Sequence, residues 1–76
     1  MEKYIGRKVK VIGNTEHVDV INYLIGQTGI LTGKFAGIRI KDLEVKFPNL
    51  PKEIQEYIDT YKGGTIFIIE SDLKFI

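Results

Sequence analysis

Gly6-Arg7-Lys8-Val9-Lys10-Val11-Ile12-Gly13 sets two lysines against two valines between glycines, the period-two pattern of a strand with one dry face. Its alternation, repeated further along the chain, predicts a mainly β protein. Asn14-Thr15-Glu16-His17 carries turn chemistry, and the connection that follows, as far as Leu24, contains Val18, Val20, Ile21 and Tyr23. So much apolar surface predicts a loop folded back over the core. A second strand is expected around residues 28–35, with Gly26 and Gly29 flanking its start, where a backbone turns or a neighbour comes close.

In Ile38-Arg39-Ile40-Lys41-Asp42-Leu43-Glu44-Val45-Lys46-Phe47 the apolar positions are even at first and odd from Leu43 onward. The flip predicts a bulge or tight turn near Lys41-Asp42 in the third strand region. Pro51 suits the first turn of a helix over 51–62, in which Leu50, Ile54, Tyr57, Ile58 and Tyr61 recur at helical spacing until Gly63-Gly64 ends it. Thr65-Ile66-Phe67-Ile68-Ile69 is β-branched or aromatic on both faces and is expected to be buried on both, between barrel and helix. A short turn at Glu70-Ser71-Asp72 leads to a closing strand, Leu73-Lys74-Phe75-Ile76.

These elements are the strand succession of a small SH3-like, five-stranded barrel with one inserted helix. Seventy-six residues allow a single domain, 1–76, with the helical insertion at about 48–63. With no cysteine, disulfide and thiolate chemistry are excluded and a reduced, cytoplasmic setting is expected. No apolar run approaches the ~20 residues of a membrane span, so no membrane partner is expected. The net charge of +1 is far from that of a protein gripping nucleic acid by charge alone. It hides an asymmetry: residues 1–46 hold eight bases and five acids and residues 47–76 hold three and five, so the two parts are +3 and −2.

"GRKVKVIG" (6–13) and "GQTGIL" (26–31) resemble the two strands of the KOW motif. That resemblance implies contacts with RNA, a ribosomal protein or RNA polymerase, although residues 14–25 are longer than the KOW linker and the 51–62 helix has no KOW counterpart. Residues 6–14, His17, residues 25–29 and residues 71–76 are also similar to small SH3-like proteins of bacteriophages and mobile elements. This second resemblance implies an SH3-like fold and a phage setting, and hardly any function. Residues 48–63 stand where that group has a short hairpin turn.

Catalytic arrangements are poorly supplied. Ser71 and His17, the lone serine and histidine, are far apart in sequence, and Ser71 reads as a turn residue. His17 with Glu16 and Asp19 offers metal-ligand types, but neighbouring residues point apart. Gly29 to Lys34 has the wrong spacing for a phosphate loop and Phe35 in place of the Ser or Thr, and Gly26-Gln27-Thr28-Gly29 enters a strand rather than joining KH helices. No enzyme activity, cofactor or metal is therefore expected.

Two candidate surfaces remain. Arg7, Lys8, Lys10, Lys34, Arg39 and Lys41 are candidate contacts to nucleic acid or an acidic partner; Tyr4, Tyr23 and Phe35 are either stacking platforms beside them or rings that close the ends of the core. His17, Tyr23, Glu53, Glu56, Tyr57, Asp59 and Tyr61, in the 14–25 loop and the helix, are candidate contacts to a protein partner, with Glu53, Glu56 and Asp59 on the helix's solvent side. The leading expectation is a non-enzymatic binding module with a protein partner. The alternatives are an RNA or ribonucleoprotein accessory factor, and an anti-defence protein holding a nucleotide in a basic pocket beside Tyr57 and Tyr61. A homodimer is compatible with each.

Overall fold

The computed structural model describes residues 4–76. Five antiparallel strands form one sheet: β1 (Lys8–Val11), β2 (Thr28–Ala36), β3 (Asp42–Lys46), β4 (Ile66–Ile69) and β5 (Leu73–Phe75), in the order β4-β3-β2-β1-β5. The helix α1 (Lys52–Lys62) lies between β3 and β4, and 3-10 turns occupy Asp19–Tyr23 and Glu70–Asp72. The β4 and β5 edges are joined by that second turn alone. Four Cα steps from Ile69 to Leu73 reach at most ~14 Å, whereas the edges of a flat five-stranded sheet stand ~19 Å apart. The sheet must therefore curl, giving the small barrel-like β fold with one helix.

Strand parity sets the inside of the curl. Val9 and Val11 on β1, Leu31 on β2, Leu43 and Val45 on β3, Ile66 and Ile68 on β4 and Leu73 on β5 are all buried. Val20, Ile21 and Leu24 of the long connection join them, as does Ile58 of α1. The 14–24 segment thus folds over the core as its apolar content requires. Gly29 admits close packing: a Cβ there would overlap Val45 Cγ1 and meet Phe47 Cε1 at 3.0 Å.

Three expectations need correction. The third strand begins at Asp42, and Ile38 and Ile40 stand in the turn before it, 93% and 69% exposed. The parity flip marks the β2–β3 turn, so its even-numbered isoleucines belong to no sheet face. β4 is buried on one face only: Phe67 is 41% exposed because α1 does not cover the outer side of the strand. Along α1 the row Leu50, Ile54, Ile58 packs on the core while the adjoining row, with Tyr57 and Tyr61, is exposed. The barrel contacts the helix along one i, i+4 row, narrower than the stripe drawn from spacing.

A feature that periodicity does not announce is an irregularity inside β2. Leu31 pairs Val45 and Phe35 pairs Leu43, so two extra residues are accommodated on β2 around Gly33, whose φ is +97°.

Candidate functional site

The long connection and the helix meet because the strand register brings their roots together. Lys10 near the end of β1 pairs Thr28 at the start of β2, and Ile30 two residues on pairs Lys46 at the end of β3. From these adjacent points the chain leaves for the 3-10 turn on one side and for α1 on the other. Between them lies an open groove of about 440 Å³ lined by Asp19, Val20, Tyr23, Glu53, Ile54 and Tyr57.

Each wall has its own support. On the loop side, Asn14 Nδ2 donates to the Val18 carbonyl at 2.9 Å and to Asn22 Oδ1 at 2.8 Å, while its Oδ1 accepts from the Val18 N–H at 3.0 Å. The Asp72 carboxylate, 3% exposed, accepts from the Thr15 N–H at 2.9 Å and from Thr15 Oγ1 at 3.0 Å. The Asp72 carbonyl also accepts from Ile12 N–H at 2.8 Å, so both ends of this contact are fixed. On the helix side, Ile58 is buried and Ile54 and Leu50 pack on the core, and the left-handed Gly63 ends the helix with its N–H directed to the Ile58 carbonyl.

What remains facing the groove is aromatic and acidic. Tyr23 is 67% exposed, and the Tyr57 ring lies 4.9 Å from that of Tyr61 at a tilt of 46°, extending the helix wall. Glu53, Tyr57 and Tyr61 are spaced four apart and therefore form one row along α1. Asp19 and Glu53 are the groove's charged side chains, so it attracts cations and apolar groups and repels phosphate. The basic lining that a nucleotide pocket beside Tyr57 requires is not found in this groove.

Of the candidate protein contacts, the fold gathers Tyr23, Glu53, Tyr57 and Tyr61 at one place. His17 is exposed with φ +56°, its N–H donating to the Asn14 carbonyl, and it does not line the groove. Glu56 and Asp59 also lie outside the lining: Glu56 is 3.9 Å from Lys52, and Asp59 accepts from Gln55 Nε2 at 2.8 Å. Sequence reasoning missed Asp19, Val20 and Ile54 as groove residues, having weighed Asp19 as a metal ligand and the other two as core. Their common signal is position at a junction of two segments, which one-dimensional periodicity does not encode.

The candidate basic contacts separate into groups. Lys8 and Lys10 project from the outer face of β1. On the same face Lys46 pairs across β2 through Ile30, and Lys74 of β5 stands directly opposite Lys10. These four exposed lysines form one sheet surface, of which Lys46 and Lys74 were not foreseen as contacts. Arg39 and Lys41 lie instead in the 37–41 turn, and Lys34 on the β2 irregularity beside Glu44. Arg7 covers the Phe75 ring at 5.0 Å, and Tyr4, partly buried, meets the same ring at 6.0 Å. Tyr4 thus closes an end of the core, whereas Tyr23 and Phe35 are exposed.

Glu44 faces the same outer surface. Its carboxyl is held below the usual carboxylate range, chiefly by the Thr32 hydroxyl that donates to it; burial opposes this, and the Thr65 hydroxyl at 3.0 Å and the nearby Lys34 assist it. Among the described residues no group of three or more metal-ligating side chains converges, and no helix is long and apolar enough to cross a membrane. Comparison with protein-family models, curated proteins and solved structures found no match to the chain.

Proposed function

We propose that the protein is a non-enzymatic binding module that receives an arginine- or lysine-bearing segment of a partner protein in the groove between the 14–25 loop and α1. The observation that carries this reading is the pairing of tyrosine walls, Tyr23 and Tyr57, with two carboxylates, Asp19 and Glu53, in one groove. A guanidinium over a tyrosine face contributes ~0.5–1 kcal/mol when exposed and ~2 kcal/mol when desolvated. A carboxylate on the rim adds direction to the contact. The likeness of both ends of the chain to phage SH3-like proteins supports a setting in which a host or phage protein supplies the segment. The test is a magnetic-resonance titration with a short arginine-rich peptide. Shifts centred on Tyr23 and Tyr57, abolished by Glu53→Lys and by Tyr57→Ala, are expected. Shifts absent, or equally strong in both variants, refute the reading.

A second reading, an accessory factor gripping RNA, is favoured by the lysine surface and by the KOW-like stretches 6–13 and 26–31. Lys10 and Lys74 are directly opposite on adjacent strands, an arrangement that costs a sheet stability and that a bound phosphate would offset. Binding of a structured RNA should then weaken steeply between about 50 and about 200 mM salt, and the salt slope should fall on neutralising Lys10 and Lys74. Equal binding by the neutralised variant sinks this second reading.

A further inference from the structure

The groove has a chemical complement elsewhere on the same chain. The 37–41 turn carries Ile38 and Ile40, 93% and 69% exposed, alternating with Arg39 and Lys41. Gly37, at φ +93°, makes the turn tight: a Cβ there would overlap the Ile40 carbonyl oxygen. Ile38 is consequently held out from the barrel, and Ile40 leaves most of its surface in water although one side borders Ile69 and Glu70. Among the described residues the single ion pair is Lys52 with Glu56; Lys41 Nζ lies 5.1 Å over the Phe35 ring and Glu70 borders the turn, so it is Arg39, and Asp19 and Glu53 in the groove, that carry no salt bridge within the molecule.

Turn and groove also sit at opposite ends of β2. That strand has nine residues, eight steps of ~3.3 Å or at most ~26 Å, and the register puts the turn between its far end and the start of β3, whereas the loop enters at the start of β2 and α1 leaves from the end of β3. The turn therefore cannot reach its own groove, but it can reach that of a neighbour.

We propose that the 37–41 turn of one molecule docks in the Tyr23–Tyr57 groove of a second copy, so that the chain associates head to tail. The inference rests on the proposed role of the groove as receiver of a basic segment and names that segment. Arg39, exposed at the tip of the turn, meets Asp19 and Glu53, and Ile38 and Ile40 cover the tyrosine faces and Ile54. Charge complementarity selects the second copy: the turn combines bases with aliphatic groups, and the groove combines acids with aromatic ones. Because donor and acceptor surfaces differ, the contact is heterologous and leaves a free turn and a free groove on every dimer, so growth continues to a ring or filament.

Sedimentation equilibrium over rising protein concentration tests this on the full chain. The weight-average mass should climb past the dimer at low salt and fall back as salt rises. A groove variant, Glu53→Lys, and a turn variant, Ile38→Ser with Arg39→Glu, should each remain monomeric, while their equimolar mixture should stop at a heterodimer. These substitutions are on exposed positions, and unchanged urea midpoints verify folding. A wild type that stays monomeric overturns the inference, as does a turn variant that still associates or a mixture that does not pair. A monomer whose turn instead partitions onto phosphatidylglycerol vesicles overturns it and assigns the turn to a lipid surface. If the arginine-rich peptide still shifts Tyr23 and Tyr57 in a monomeric wild type, the self-association alone falls. If the peptide shifts nothing, the groove's role falls with it.

Discussion

Replacing Asp72 with alanine isolates the contact that ties the long connection to the barrel. The side chain is 3% exposed and accepts two hydrogen bonds from Thr15, one from the backbone and one from the hydroxyl. Hydrogen bonds to a charged group contribute ~1.5–3 kcal/mol each. Thr15 is itself exposed, so water recovers part of both bonds, and the expected loss is about 2 kcal/mol. With a urea m-value of ~1 kcal/mol/M for so small a chain, the midpoint should fall by ~2 M with m unchanged. Thr15→Val keeps the backbone bond and should lose about half as much. Asp72→Asn retains an acceptor oxygen and should resemble Thr15→Val. The Asp72→Ala chain should also bind the arginine-rich peptide more weakly, because the 3-10 turn that carries Asp19 and Tyr23 follows the tethered segment. A midpoint unchanged or raised in Asp72→Ala would mean that the desolvation of the carboxylate outweighs its bonds, and the reasoning would be refuted.

Glu44, whose folded pKa lies below its unfolded one, contributes stability that is fully present above the ordinary carboxylate value of ~4.3 and is lost as pH falls through the folded value. The difference in urea midpoint between wild type and Glu44→Gln should accordingly be constant near neutrality and shrink in acid; a difference that grows in acid contradicts the assignment. Gly29→Ala should lower stability by ~1–3 kcal/mol, since its methyl group overlaps the buried Val45 and crowds Phe47. At ~4–8 °C per kcal/mol this is a fall of roughly 10 °C in Tm, and an unchanged melt would show that the site relaxes freely. Ile58→Ala should cost ~2–5 kcal/mol and release α1, whereas Tyr61→Ala, at a position 70% exposed, should leave the melt nearly unaltered. Similar losses in the two would mean that the helix is held by its tyrosine row.

The strands were legible where one face is dry and the other wet, because alternation then reports burial directly. Lys8-Val9-Lys10-Val11 is such a case, and its inward and outward residues are as the pattern requires. The same logic misleads at Ile38 and Ile40, which alternate as a strand does but occupy a turn that no sheet covers. At Phe67 the sequence shows an apolar residue on the outer face of β4, and only the path of the helix decides whether it is covered. The helix was legible in length from Pro51 and Gly63, since backbone chemistry fixes both ends. Its buried row was less so: spacing admits Tyr57 and Tyr61 to the apolar stripe, and the narrow contact with the barrel leaves them out. The groove depends on which two segments the register brings together, a property of β1, β2 and β3 jointly.

The two walls of that groove are attached by different forces, and this bears on how it can work. The loop wall is fastened by polar contacts of Asn14 and Asp72 and by Val20, Ile21 and Leu24 beneath it. The helix wall is fastened by one apolar row, of which Ile58 alone is fully buried, and carries no side-chain cap at its N-terminus. Polar contacts with fixed geometry define position closely, whereas the hydrophobic effect is non-directional. Tyr23 and Asp19 thus stand on the wall held by directional contacts, and Glu53 and Tyr57 on the wall held chiefly by packing. On the proposed reading, a segment with its cation against Asp19 would meet Tyr57 and Glu53 on the wall held by packing. The helix between β3 and β4 would then supply one half of the proposed binding surface, and the loop tethered to the barrel the other.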